Sequence, residues 1–101
     1  MNSAIHVFKF GGASVKDANA VLNVVELIKK HDRFKLVVVV SAMGKTTNKL
    51  EHIFNSFIKK DREAYFKSVN ELKMFHLNII QDLFKNDSFE EVNEIINALF
   101  N

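Results

Sequence analysis

Residues 36–44 read Leu36-Val37-Val38-Val39-Val40-Ser41-Ala42-Met43-Gly44. Five apolar residues, four of them β-branched, run without polar interruption and stop at a small, polar turn. A strand of this composition is expected to be buried on both faces, as at the centre of a parallel sheet. Upstream, Ala4 to Phe10 is β-rich with partial alternation and ends at Gly11-Gly12. Between the two strands, Lys16 to His31 has helical spacing, with Val21, Val25 and Ile28 joined by Leu22, and Asp17 places negative charge at its start. Strand, helix and strand make a βαβ unit, which is right-handed in nearly all known cases.

Downstream the pattern is helical. Leu50, Ile53, Phe54, Phe57 and Ile58 form one apolar face. Asp61 is placed to cap a helix whose stripe runs Tyr65, Val69, Leu72, His76, Ile79, Ile80 and Leu83. Ser88 with Glu91 has the spacing of a capping box, followed by Phe89, Val92, Ile95, Ile96 and Leu99. The last stripe stops at Leu99-Phe100-Asn101 without a closing glycine or basic turn. Two parallel strands leave apolar surface that calls for further strands. The expectation is therefore a single partial domain over 1–101, with the βαβ unit and its loops in 1–50 and a helical segment in 51–101.

With 101 residues, 48% apolar and 26% charged, the chain has the composition of a small globular domain. It lacks cysteine, so it has no disulfide framework and no thiolate nucleophile or metal ligand. The first ten residues are interrupted by Asn2, Ser3, His6 and Lys9, unlike a signal peptide, and the longest apolar run is strand-sized. A cytoplasmic protein with no membrane association is expected. The net charge of +2 divides unevenly, +5 in residues 1–50 and −3 in 51–101. A basic N-terminal half suits an anionic ligand, although solvated faces can carry the same imbalance.

The three glycines, Gly11, Gly12 and Gly44, all fall after an expected strand and before an expected helix. Glycine permits positive φ and close backbone approach, and a helix start offers unpaired N–H groups to an anion. In α/β sheets, ligands bind beyond the carboxyl ends of the strands, where both loops would lie. Phosphate binding is one reading of this pattern; a pair of tight turns without ligand is the other. Gly11 to Lys16 does not supply the dinucleotide-binding G-x-G-x-x-G. Gly44-Lys45-Thr46 imitates the end of a Walker A loop, but Val39 occupies the position of its first glycine. Lys9, two residues before the glycine pair, is placed to neutralise a phosphoryl group in transfer, although a lysine on a strand can also simply face solvent. His6, His31, His52 and His76 lack metal-ligand spacing, and His76 is better read as a hydrogen-bonded, half-buried residue. The phenylalanine stripes lack interleaved basic residues, so nucleic-acid binding is not expected.

Lys9-Phe10-Gly11-Gly12-Ala13-Ser14-Val15 closely resembles the K-F-G-G-T-S-V opening of aspartokinases, and Val38 to Leu50 resembles their second loop, V-V-V-S-A-M-G-G-V-T-N-x-L. The resemblance implies the N-terminal part of an amino-acid-kinase three-layer α/β sandwich, with parallel strands between helices, followed by a helical segment. It implies transfer of the ATP γ-phosphoryl group to the side-chain carboxylate of L-aspartate, on the route to lysine, threonine and methionine. Lys9 would be the catalytic cation and, with Gly11, Gly12 and Ser14, would hold ATP. Ser41, Gly44 and Thr47 would form the aspartate loop. Magnesium would arrive with the nucleotide, with no metal ligands in the chain, and the parent would be a homo-oligomer. Ala13 replaces the family threonine, and Lys45-Thr46 replaces Gly-Val, leaving Thr47 in register. The family's substrate-binding glutamate, its arginine-and-aspartate loop, its base pocket and its regulatory domains have no match, so the chain is expected to be inactive alone. Another kinase of this fold, a bifunctional aspartokinase–homoserine dehydrogenase or a non-catalytic helical interaction module are the alternatives.

Overall fold

The computed structural model describes residues 4–85 and 90–101. They form two compact units, the first ending at Lys45 and the second beginning at Thr46.

In the first unit, β1 (Ile5–Phe10) is followed by a short 3-10 turn (Gly12–Val15), α1 (Ala18–Lys30) and β2 (Lys35–Val40). The strands pair in parallel, with Ile5 opposite Lys35 and Phe10 opposite Val40. This is the α/β arrangement expected from the sequence. Strand alternation sends His6, Phe8 and Phe10 to one face and Ile5, Val7 and Lys9 to the other. Phe10, Val15 and Val24 are buried, and Phe8, Val21, Ile28 and Met43 pack against them. Asp17 is the N-cap of α1 rather than part of its first turn, because its Oδ1 accepts from the Ala20 N–H at 2.8 Å. Lys29 and Lys30 occupy the last turn, where positive charge complements the helix dipole.

Two expectations are corrected. The buried line of α1 is Val21, Val24 and Ile28, whereas Leu22 and Val25 are exposed. Phe8 and Phe10 on the sheet decide this phase, and periodicity alone fits either line. In addition, β2 is not buried on both faces: Val37, Val38, Val39 and Val40 are 36–54% exposed. Among the described residues the sheet has two strands, which leaves β2 a free edge, and the face carrying Ile5 and Val7 is also open.

The second unit contains α2 (Thr46–Ile58), α3 (Arg62–Leu83) and α4 (Glu90–Phe100). Lys60, at φ 60°, turns the chain between α2 and α3, with its N–H donating to the Phe57 carbonyl and that of Asp61 to Ser56. These bonds satisfy carbonyls at the end of α2 in the manner of a left-handed C-terminal cap, here without glycine. Asp61 caps α3 as expected, its Oδ1 accepting from the Ala64 N–H at 3.1 Å. The expected α3 stripe is the inner face of that helix, with Leu72, Ile79 and Ile80 buried and Tyr65, Val69, His76 and Leu83 half-buried. His76 Nδ1 bonds the Leu72 carbonyl at 2.9 Å. By contrast, Leu50, Phe54, Phe57 and Ile58 on α2 are at least half exposed. The Ser88–Glu91 capping box involves a residue outside the described ones. None of the described helices is long and apolar enough to cross a membrane.

Lys49 Nζ donates to Glu71 Oε2 at 2.7 Å, joining α2 to α3. This hydrogen bond and the lysine's charge hold the Glu71 carboxyl below its ordinary range. A depressed carboxylate pKa stabilises the fold above the unfolded value, and the contribution is lost as pH falls through the folded value. Both side chains are partly exposed, so the pair is expected to add little. In chemical denaturation, Leu72→Ala should cost about 2–3 kcal/mol. Glu71→Gln should barely move the midpoint at neutral pH, and any difference from wild type should vanish on acidification through the carboxylate range.

Candidate active site

The parallel register brings both glycine loops to the same end of the sheet. Phe10 lies opposite Val40, so the chain leaves β1 and β2 at one level. The Ser41 N–H donates to the Phe10 carbonyl at 2.9 Å, extending the pairing one residue past the strands. Beyond it, the Gly44 N–H donates to the Gly12 carbonyl at 3.1 Å. The loops are thus hydrogen-bonded directly to each other.

Each glycine has a different reason to be there. A Cβ on Gly12 would stand 2.6 Å from the Gly44 carbonyl oxygen and 3.3 Å from that of Ala42. A contact of that length with backbone is prohibitive, so Gly12 permits the loops to meet. Gly44 has φ 57°, a left-handed conformation that costs other L-residues about 1–2 kcal/mol. Gly11 is extended, at φ −77° and ψ 178°, and a Cβ there would meet nothing within 4 Å. The expectation of positive φ therefore applies only at Gly44, and the surface over Gly11 is open.

Lys9 is exposed on the face carrying Ile5 and Val7, directly across from Val39. Among the described residues, no carboxylate pairs with it. Its ammonium group stands on an uncovered apolar face, next to the point where the loops begin. Ser14 lies in the 3-10 turn, where its N–H donates to the Gly11 carbonyl at 3.0 Å and its side chain is exposed. N–H groups at the start of such a turn have no partner within it. Ser41 is exposed immediately after β2. These residues, with Gly11, Gly12 and Gly44, belong to the first unit and gather at the carboxyl ends of its strands. Thr47 is exposed in the first turn of α2, in the helical unit.

Sequence reasoning overlooked Met43. It packs against the core of Phe10, Val15 and Val24, fastening the second loop from below while Gly12 holds it from the side. Its signal was a large apolar residue between small ones in a loop otherwise suited to solvent.

Residues 4–101 match the amino acid kinase family, and the chain belongs to that family. Among curated proteins it is similar to aspartokinase 3, chloroplastic, of Arabidopsis thaliana, with 54% identity over 44 residues. Aspartokinase 2, chloroplastic, of the same plant is 52% identical over 44 residues. Each match covers 44% of this chain and 8% of the relative. No solved structure matches.

The glycine geometry makes a graded prediction for unfolding of the chain. Gly12→Ala should destabilise the fold by about 1–3 kcal/mol, because backbone must move to admit the methyl group. Gly44→Ala should cost about 1–2 kcal/mol through its φ, and Gly11→Ala should be tolerated. A Gly12→Ala chain as stable as wild type would show that the loops do not meet in this way.

Proposed function

We propose that this chain carries the phosphate and first substrate loops of an aspartokinase, which transfers the ATP γ-phosphoryl group to the side-chain carboxylate of L-aspartate. The observation that carries the reading is the direct bond between the Gly12 and Gly44 loops beside Lys9, which pairs with no carboxylate among the described residues. Phosphoryl transfer to a carboxylate brings two anions together, so positioning and charge neutralisation dominate the barrier.

In this reading, Gly11, Gly12 and Ser14 hold the nucleotide phosphates, with Gly11 providing the open approach for them. Lys9 compensates charge on the group in transfer, and no carboxylate among the described residues neutralises it. Ser41 and Thr47 bind aspartate, and Gly44 gives their loop its turn. Magnesium accompanies the nucleotide. The local likeness to aspartokinases supports aspartate over other acceptors of the family, as does Ser41-Ala42-Met43-Gly44 followed by Thr47-Asn48. The matched segments are 8% of those relatives, so complete activity and a homo-oligomeric parent are assigned to a longer protein, and the chain alone is proposed to be inactive. A cytoplasmic setting is part of the same proposal.

The test is thermal unfolding of the chain with and without Mg-ATP and aspartate, since a ligand that binds only the native state raises the midpoint. Saturation at 100 times the Kd corresponds to about 2.7 kcal/mol. Mg-ATP should raise the midpoint, and Lys9→Ala should retain the fold but lose most of the rise. A full rise in the Lys9→Ala chain would remove this lysine from the phosphate site. In an active protein containing this segment, Thr47→Ala should raise the KM for aspartate more than that for ATP. The reverse would exchange the roles of the loops.

A further inference from the structure

The turn between α2 and α3 opens a cleft of about 740 Å³ in the helical unit. Its apolar lining includes Phe57, Ile58, Tyr65 and Phe66, of which Phe57, Ile58 and Phe66 are 58–67% exposed. Lys60 and Arg62 stand at its margin, the Arg62 guanidinium 6.0 Å from the centre of the Phe66 ring. The one carboxylate in the lining, Asp61, is engaged in capping α3. The cleft thus offers an apolar floor and two cations.

The same unit presents a surface of opposite charge. On α4, Val92, Ile95 and Leu99 follow one another at i, i+3 and i+7 and are 37%, 56% and 75% exposed. Glu90, Glu91 and Glu94 are exposed on the same helix, and residues 90–101 contain no Lys or Arg. By helical spacing, Glu91 lies one turn before Ile95, beside the apolar line. Ile96 and Phe100 are half-buried, with the Phe100 ring 6.0 Å from His76 of α3. That contact leaves the end of α4 ten residues along α3 from Phe66, about 15 Å at the helical rise. A copy's own α4 does not reach its own cleft.

We propose that this cleft receives the Val92–Ile95–Leu99 face of α4 from a second copy of the chain, with Glu91 and Glu94 meeting Lys60 and Arg62. Two such contacts, related by a twofold axis, close a symmetric dimer. Apolar burial supplies the attraction, and the charges set partner and register. This surface is independent of the kinase assignment.

Sedimentation equilibrium on wild type and two charge-reversed chains tests it. Wild type should dimerise, less tightly as salt is raised. Lys60→Glu with Arg62→Glu, and Glu91→Lys with Glu94→Lys, should each weaken association by roughly tenfold or more. An equimolar mixture should restore it, because the reversed cleft meets the reversed helix while the other contact remains native. Circular dichroism monitors α4, and if the Glu91/Glu94 variant loses helicity, the cleft variant alone decides. A monomeric wild type, cleft-variant association equal to wild type, or failure of two folded variants to recover on mixing would overturn the proposal. Association insensitive to both reversals would point to the open strand face instead.

Discussion

The N–H of Gly44 reaches the carbonyl of Gly12 because position 12 has no side chain. That approach joins two segments more than thirty residues apart in sequence, and the rest of the first unit is arranged to permit it. Parallel pairing ends both strands at one level, α1 returns the chain to the start of β2, and Met43 anchors the second loop in the core. With these in place, Ser14, Ser41 and the open surface over Gly11 share one end of the sheet. The bond is one of many in energetic terms, since a typical hydrogen bond contributes about 1 kcal/mol net. Its importance is positional, because it sets the distance between the Gly11-Gly12 loop and the loop from Ser41 to Gly44.

Much of this arrangement was legible in the sequence where local chemistry decides the outcome. The glycines and the β-branched run located the strands and loops, Asp61 marked a helix start, and the α3 stripe named that helix's inner face. The failures occurred where a partner element decides. Val21, Val24 and Ile28 form as good a helical line as Val21, Val25 and Ile28, and only Phe8 and Phe10 choose between them. The left-handed Lys60 gave no signal, because neither glycine nor asparagine marks the turn. The contact that Gly12 makes gave no signal either, because the Gly44 carbonyl that leaves no room for a side chain lies 32 residues away and a single sequence does not display it.

The two units also use apolar residues differently. In the first, aromatic rings cluster at the amino end of the sheet, where His6 lies 4.3 Å from Phe34 and Phe8 lies 5.0 Å from His31. His31 Nδ1 is fixed to the Leu27 carbonyl, which ties this cluster to the end of α1. Aromatic contacts thus occupy the amino end of the sheet, and small residues the carboxyl end, where the glycine loops meet. The helical unit instead relies on α3, whose inner face carries most of the burial while α2 keeps its phenylalanines outside.

The exposed valines of β2 have a consequence for the chain's behaviour in concentrated solution. Leu36 to Met43 contains no proline and no charge, and four consecutive residues are β-branched. Such a segment on a free sheet edge is a template for strand addition by any chain with unpaired backbone groups. Lys35 at its start is the nearest gatekeeping charge, and nothing comparable follows until Lys45. The same run that makes a good central strand therefore makes this segment prone to amyloid-like stacking whenever its neighbours are missing, so handling it is a matter of keeping that edge occupied.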